Sequence, residues 1–261
     1  MLVLFFRIIY KNKHKTLPKK DFGRVFVSIH SYFLSRLGIG NLCYNLTTYL
    51  MSDPLSILFG STARVKLLRF FLFNPSKEFT FDEMSKRARL VRRTARTEIS
   101  ALERAGVITS HIVQVTLPGK TRKTKVLHYC LNKKFQELQA LQTFLFETAP
   151  INGKNLLTHL RKAGTIDFVA VAGVFVREFE QQLDLLISMK KPTQSKIETA
   201  IRTFEAEIGM EIRFALMTNE SLLYRVGMND KLTRDFFDYK HQILIDKIGI
   251  RDELHNGSYR G

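Results

Sequence analysis

The sequence predicts an α+β protein with a basic first part and a nearly neutral second part. Apolar residues recur at helical spacing between positions 61 and 105, and two β-prone runs around a Pro-Gly turn follow them. After position 151, strand-like and helix-like segments alternate, which is typical of a small α/β domain. Because 45% of the 261 residues are hydrophobic, the chain can bury a core, which excludes a purely disordered basic tail.

The positive charge is concentrated in the first 150 residues. The formal net charge of the whole chain is +17, of which residues 1–50 carry +7, residues 51–150 carry +9 and residues 151–261 carry +1. This asymmetry indicates that one part binds a polyanion while the other has a different role. The alternative is that lysines and arginines only keep an apolar chain in solution, and charge alone does not decide between the two.

Residues 1–50 are expected to be either a disordered basic extension or the product of an over-long start-site assignment. The apolar run 1–10 is too short for a transmembrane helix, which needs about 20 apolar residues. Its lysines follow the apolar run, whereas a signal peptide places them before it. A basic interfacial anchor is the alternative. Two cysteines without a CxxC pair favour a cytoplasmic protein with no membrane partner.

Three short helices are predicted between positions 61 and 105. Ser61 caps the first helix, which ends at Asn74-Pro75 because proline removes a backbone donor. The second helix covers residues 81–89 and has acidic residues in its first turn, where the helix dipole favours them. The third covers residues 91–105 and ends at Gly106.

The third helix has an apolar face and an arginine-rich face. Val91, Ala95, Ile99 and Leu102 fall on one arc, although Glu98 interrupts it. The opposite arc is basic and polar, and an arginine fork there can bind guanine edges or phosphates. The candidate DNA-binding residues on this face are Arg92, Arg93, Arg96, Thr97 and Ser100.

The runs 110–117 and 126–131 predict a hairpin whose connection, opened by Pro118-Gly119, is basic. Three helices followed by a basic hairpin is the order of a winged helix-turn-helix, here over residues 51–134, whose third helix reads the major groove. The alternative is a solvated helix beside an exposed loop. Candidate DNA-binding residues in this connection are Lys120, Arg122, Lys123 and Lys125.

Residues 135–150 are predicted to form a linker helix, and residues 151–261 a small α/β domain. Strands are expected at 166–172, 183–188, 211–217 and 242–245, and helices at 195–208, 219–225 and 230–237. Ser195 and Glu198 have the spacing of a capping box at the start of the first of these helices.

Alternation along the predicted hairpin strand 126–131 puts His128 and Cys130 on one face, but two ligands do not make a zinc site.

The chain resembles a family of bacterial and archaeal winged-helix proteins in which a DNA-binding module precedes a minimal nucleotidyltransferase-like domain. The resemblance depends on residues 58–88 (LFGSTARVKLLRFFLFNPSKEFTFDEMSKRA), 98–108 (EISALERAGVI) and 128–132 (HYCLN), and it covers most of residues 55–150. It implies that Arg92, Arg93, Arg96 and Thr97 form the outer face of the recognition helix.

The same resemblance implies a nucleotidyltransferase site that has lost its metal ligands. Active members carry Gly-Ser after the first strand and D-x-D on the second, and this chain has Gly173-Val174 and Gln182-Leu183-Asp184 there. The third carboxylate position falls near Arg213, which would repel a metal. Asp184 alone is poor support for two-metal phosphoryl transfer, so we expect it to pair with a nearby base. Gly60-Ser61, which also looks like the Gly-Ser motif, is better explained as a helix start.

The leading hypothesis is therefore a transcriptional regulator that binds double-stranded DNA in a sequence-specific manner. Its second half would be a non-catalytic, nucleotidyltransferase-like domain for oligomerisation, as in a homodimer, or for sensing a small-molecule or nucleotide effector. No cofactor or metal is expected. The alternatives are an active Mg²⁺-dependent nucleotidyltransferase and a protein-interaction module that uses the winged helix on a protein partner.

Overall fold

The computed structural model describes residues 53–116 and 123–256. The chain divides into two compact units after Ile57, and the second unit, Leu58–Gly261, holds nearly all the described elements. The extension predicted for residues 1–50 and the hairpin residues Lys120 and Arg122 lie outside the described residues. The domain borders predicted after residues 134 and 150 stay predictions. The described chain is a mixed α+β structure, as expected.

The first part contains helices and a hairpin in the predicted order. Its elements are α1 (Pro54–Leu58), α2 (Thr62–Leu72), β1 (Phe79–Thr80), α3 (Phe81–Arg87), α4 (Arg92–Arg104), β2 (Ile108–Thr116) and β3 (Lys123–Leu131). The predicted cap of α2 is confirmed, because the Ser61 hydroxyl accepts a hydrogen bond from the Arg64 N–H at 3.3 Å. Helix α3 begins with a capping box between Thr80 and Glu83.

The predicted hairpin is confirmed. Strands β2 and β3 pair antiparallel from Ile108↔Leu131 to Thr116↔Lys123, and β1 adds a third antiparallel strand on the other edge of β3. The paired residues Ile108 and Leu131 are buried. Ile112 and Leu127, which pair with each other nearer the tip of the hairpin, are exposed. The far end of the hairpin therefore extends beyond the core.

The second part contains a four-stranded mixed sheet. Its elements are α5 (Leu138–Glu147), α6 (Gly153–Leu160), β4 (Phe168–Val171), a 3₁₀ turn (Gly173–Phe175), β5 (Leu185–Met189), α7 (Gln194–Ile208), β6 (Phe214–Thr218), α8 (Asn219–Gly227), α9 (Lys231–Asp238), β7 (Gln242–Asp246) and α10 (Ile250–Asn256). The strand order is β6-β5-β4-β7, with β5 and β6 parallel and the other pairs antiparallel. The sequence did not predict α6, α10 or the 3₁₀ turn.

Two local predictions for the second part were wrong. Ser195 does not cap α7: the helix follows Thr193, and its N-cap makes no side-chain hydrogen bond. The Glu198 carboxylate instead accepts from Gln194 Nε2 at 2.8 Å. The third strand begins at Phe214 rather than at residue 211, and the Ile212 N–H just before it donates to the Glu205 carboxylate at 2.7 Å.

Both faces of the second sheet are covered, which explains its nearly continuous apolar strands. On one face, Val169 and Ile187 belong to a cluster with the apolar residues of α6 and α7. On the other face, Phe168 and Leu186 belong to a cluster with residues of α8, α9 and α10. Among the residues that the structure describes, no helix is both long and apolar enough to cross a membrane.

Helix α7 joins the two parts by packing against α2. The buried Arg69 of α2 donates from Nη1 to the Glu207 carbonyl at 3.2 Å, and Asn74 Nδ2 donates to the Gly209 carbonyl at 3.0 Å. Helix α4 packs on α2 through its buried residues Ala95, Ile99 and Leu102. The second part therefore packs on α2, and the outward face of α4 stays exposed.

Candidate nucleic-acid interface

The outward face of α4 gathers every residue that the sequence assigned to it. Helix α4 buries Ala95, Ile99 and Leu102, and its opposite side is exposed. Five side chains line one open depression on that side: Arg92, Arg93, Arg96, Thr97 and Ser100. The face therefore presents three guanidinium groups and two hydroxyls within three helical turns.

Phe81, at the start of α3, holds two of these arginines. The guanidinium carbon of Arg92 lies 5.3 Å from the centre of the Phe81 ring, and that of Arg96 lies 5.4 Å from it. Cation–π contacts of this kind restrict side-chain rotamers at an exposed site. Arg92 Nη1 also lies 2.6 Å from Asp82 Oδ1, so a carboxylate borders the basic face.

Arg93 differs from Arg92 and Arg96 in that, among the described residues, its guanidinium lies over no aromatic ring. Within residues 53–116 and 123–256, its side chain has no hydrogen bond or ion pair, whereas its carbonyl accepts from the Thr97 hydroxyl at 3.2 Å. Further along the helix, Arg104 Nε donates to the Ser100 carbonyl at 3.4 Å. Arg93 is thus the arginine of this face best able to bind an external anion.

The structure accounts for Glu98, which interrupts the apolar face of α4. Its carboxylate lies 2.8 Å from Arg64 Nε, and Arg64 Nη1 donates to the Phe59 carbonyl at 2.9 Å. A buried carboxylate requires a charged partner because its desolvation is costly. The ion pair therefore fastens α4 to the start of α2, and no local pattern in the sequence reveals it.

The turn between α3 and α4 is short and held on both sides. Arg89 adopts a left-handed conformation with φ of 51°, and the Leu90 N–H donates to the Ser85 carbonyl at 2.9 Å. The Arg89 guanidinium reaches α7, where Nη1 lies 2.9 Å from the Thr203 hydroxyl oxygen. The Arg89 side chain thus connects the turn before α4 to α7 of the second part.

Two of the four hairpin residues predicted to contact phosphates lie in the described chain. Lys123 and Lys125 are exposed on β3, opposite Thr116 and Gln114 of β2. They stand beyond the buried end of the hairpin, on the part that extends past the core. Lysine ammonium groups in such a position are suited to bind a phosphate backbone without reading bases.

The four residues that the family resemblance assigns to a degenerate transferase site lie in two different surroundings. Asp184 is fully buried, and its Oδ1 accepts from the Val174 N–H at 3.0 Å. Gly173 has a φ of +50°, and a Cβ there would collide with the Asp184 carboxylate. Gln182, by contrast, is exposed and lines a separate hollow between the β4–β5 connection and α9.

Arg213 neutralises Asp184. Its backbone N–H and its Nε each lie 2.9 Å from Asp184 Oδ2, and its Nη2 lies 3.0 Å from Oδ1. Hydrogen bonding to this carboxylate raises the pKa of Arg213. The expected pairing of Asp184 with a nearby base is confirmed.

Gln181 is a neighbour that the sequence did not single out. Its Oε1 accepts from the Gly173 N–H at 2.8 Å, and its Nε2 donates to Glu178 Oε2 and to the Lys240 carbonyl. The turn after β4 is therefore fixed by Gln181 and Asp184 together. Only the adjacency of two glutamines before Leu183-Asp184, just ahead of β5, could have drawn attention to it.

Comparisons of the chain with protein-family models, curated proteins and solved structures find no significant match.

Proposed function

We propose that this chain is a winged-helix regulator that binds double-stranded DNA in a sequence-specific manner. The single observation that carries the proposal is the two-sided character of α4, with three arginines on its exposed face and a buried apolar face behind them. In this proposal α4 lies in the major groove, where an arginine fork pairs with guanine N7 and O6 or with a phosphate.

The order of elements around α4 supports the proposal. Helices α3 and α4 are joined by the short turn at residues 88–91, α2 packs behind α4, and an antiparallel hairpin follows. This order is that of a winged helix-turn-helix, in which the hairpin contacts the backbone beside the recognition helix. Lys123 and Lys125 would supply those contacts in the described part of the hairpin, and Lys120 and Arg122 belong to the same basic run.

We further propose that the second part is a nucleotidyltransferase-like scaffold without catalysis, used for oligomerisation or for sensing a small-molecule or nucleotide effector. Two-metal phosphoryl transfer requires carboxylates that bind magnesium ions. Asp184 is buried and bound by Arg213, and the position that carries the first aspartate in active members is Gln182. A cytoplasmic regulator in which the second part modulates DNA binding fits this chemistry.

The test begins with selection of a preferred duplex from random DNA by the full chain. The double variant Arg93→Ala/Arg96→Ala should lose the preference for the selected duplex over a scrambled one, because two of the three guanidinium groups that can read base edges are gone. The control is Arg161→Ala/Arg202→Ala, which removes the same charge from exposed arginines elsewhere and should keep the preference. Unchanged discrimination in the first variant would refute the assignment of α4.

A second measurement separates the regulator from its alternatives. Affinity for the selected duplex should fall steeply with salt, because each neutralised phosphate releases counterions. Insensitivity to salt would instead favour a protein partner. Incubation with labelled nucleoside triphosphates and Mg²⁺ should give no transfer product, and transfer that Asp184→Ala eliminates would overturn the non-catalytic assignment.

A further inference from the structure

The outer face of the first sheet carries a cluster of metal-ligating side chains at the root of the hairpin. One ligand atom from each of Glu78, His111 and Cys130 lies within 4.8 Å of the other two. Glu78 Oε2 is 3.1 Å from His111 Nε2 and 3.9 Å from His128 Nδ1. Four residues of types that bind transition metals therefore meet at one place.

Strand register explains why these residues meet although they are far apart in sequence. His111 is directly opposite His128, and Cys130 is opposite Thr109. Phe79 and Thr80 of β1 pair with Tyr129 and His128, so Glu78, one residue earlier, lies beside Cys130. Directly opposite residues share one face of a sheet, and side chains alternate along each strand. The three strands thus place all four side chains on the same side.

The ligand set suits zinc. Zn²⁺ binds thiolate, imidazole and carboxylate, and structural sites use four protein ligands in a tetrahedron. Two nitrogen or oxygen ligands of one tetrahedral zinc are about 3.3 Å apart, given bonds of about 2.0–2.2 Å. The 3.1 Å between His111 Nε2 and Glu78 Oε2 matches that spacing, and a ligand atom of Cys130 lies within 4.8 Å of both residues. His128 Nδ1, 3.9 Å from Glu78 Oε2, would be the fourth ligand.

The surroundings of the cluster favour binding over a simple surface ion pair. Glu78 and His111 have about half of their side chains exposed, so an ion can enter from solvent, whereas His128 and Cys130 are more buried behind them. The Thr109 hydroxyl lies 3.3 Å from Cys130 Sγ, where it can donate to a thiolate. Outer hydrogen bonds of this kind orient metal ligands and tune their basicity.

We propose that Glu78, His111, His128 and Cys130 form a structural Zn²⁺ site. The ion would tie β1 to both strands of the hairpin and so fix the root of the hairpin. Binding requires the Cys130 thiolate, so it releases a proton and strengthens with rising pH. This inference is independent of DNA binding, because none of the four residues belongs to the face of α4.

The experiment uses the full chain with Cys43→Ser, so that Cys130 is the only thiol, and titrates it with Co²⁺ as a spectroscopic substitute for zinc. We expect one equivalent to produce thiolate-to-cobalt charge-transfer absorption together with intense tetrahedral ligand-field bands, and Zn²⁺ to displace it. Adding Cys130→Ser should abolish the charge-transfer band. Glu78→Ala, His111→Ala and His128→Ala should each weaken Co²⁺ binding at least tenfold.

The matched control is His159→Ala. His159 Nε2 also lies 3.1 Å from a glutamate Oε2, that of Glu207, but this pair is not part of the Glu78, His111 and Cys130 group. The control should bind Co²⁺ like the parent, and circular dichroism of each metal-free variant should show that it folds. The proposal is overturned if the parent gives no charge-transfer band, if folded Cys130→Ser keeps the band, or if a folded ligand variant binds as tightly as the parent.

Discussion

The guanidinium of Arg213 binds both carboxylate oxygens of Asp184, with Nε 2.9 Å from Oδ2 and Nη2 3.0 Å from Oδ1. The family resemblance implies that Asp184 is the one acid left of a metal site that active members carry. In the structure Arg213 balances the negative charge of Asp184. The carboxylate now holds the turn after β4 to the start of β6, which is a structural role.

Replacing Arg213 with Met should therefore destabilise the fold. The variant leaves the fully buried Asp184 carboxylate with backbone donors only, and we expect a loss of about 2 kcal/mol, reduced from the cost of a fully buried pair because Arg213 is half exposed. Urea unfolding followed by circular dichroism measures it. The control Arg202→Met removes an exposed pair with Glu198 and should cost less than about 0.5 kcal/mol. Equal effects in the two variants would contradict a structural role for the Asp184 pair.

Gly209, which ends α7, should tolerate alanine much less than Gly106 does. Both residues have nearly the same left-handed backbone conformation, with φ of +78° at Gly209 and +75° at Gly106. A Cβ at residue 209 would lie 2.6 Å from the Arg69 carbonyl carbon, whereas nothing lies within 4 Å of one at residue 106. Gly106→Ala should cost about 1 kcal/mol for the left-handed conformation alone, and Gly209→Ala at least about 2 kcal/mol more. Denaturant midpoints of the two variants compare them, and similar midpoints would show that α2 and α7 are not in close contact.

Asp167 should make stability depend on pH. The hydrogen bond from Asn219 Nδ2, at 2.9 Å, with a smaller contribution from the Lys190 N–H, holds the pKa of Asp167 below its ordinary value of 3.8. A carboxyl whose pKa is lower in the folded state stabilises the fold above its unfolded pKa, and this contribution is lost as pH falls through 3.8 towards the folded pKa.

Asp167→Asn should thus be less stable than the parent by about 1 kcal/mol at pH 7, and the difference should shrink below about pH 4. Urea unfolding across this pH range measures the difference. Asp238→Asn, at the exposed end of α9, should give a small difference that does not change with pH in this way. If the difference in unfolding free energy between Asp167→Asn and the parent did not change with pH, Asp167 would not be the source of the pH dependence.

Lys123 and Lys125 should contribute to the salt dependence of DNA binding without affecting its specificity. Lys123→Gln/Lys125→Gln should weaken binding to all duplexes alike and lower the slope of log affinity against log salt by about 2. Fluorescence anisotropy at several salt concentrations gives the slope. The control Lys190→Gln/Lys191→Gln removes two exposed lysines of the second part and should leave it unchanged. An unchanged slope in the hairpin variant would show that the described hairpin does not contact phosphates.

Helices α2 to α4 and the hairpin could be predicted because their signals are local, whereas α1 and β1 were not predicted. Ser61 and Pro75 mark the ends of α2, Gly106 follows α4, and alternation marks the hairpin. Helix α6 was missed because its apolar period extends over only eight residues. The cap of α7 was predicted wrongly at Ser195, because the spacing to Glu198 does not reveal that Gln194 binds the Glu198 carboxylate first.

The sequence by itself determined the basic face of α4 and the hairpin, since residue type and short-range period decide these. Only the tertiary structure decided that Arg64 pairs with Glu98, that Arg213 neutralises Asp184, and that Glu78 and His111 join Cys130. Each of these contacts joins residues that are far apart along the chain. Packing and strand register bring such side chains within hydrogen-bonding or metal-binding distance, and no local pattern in the sequence encodes either.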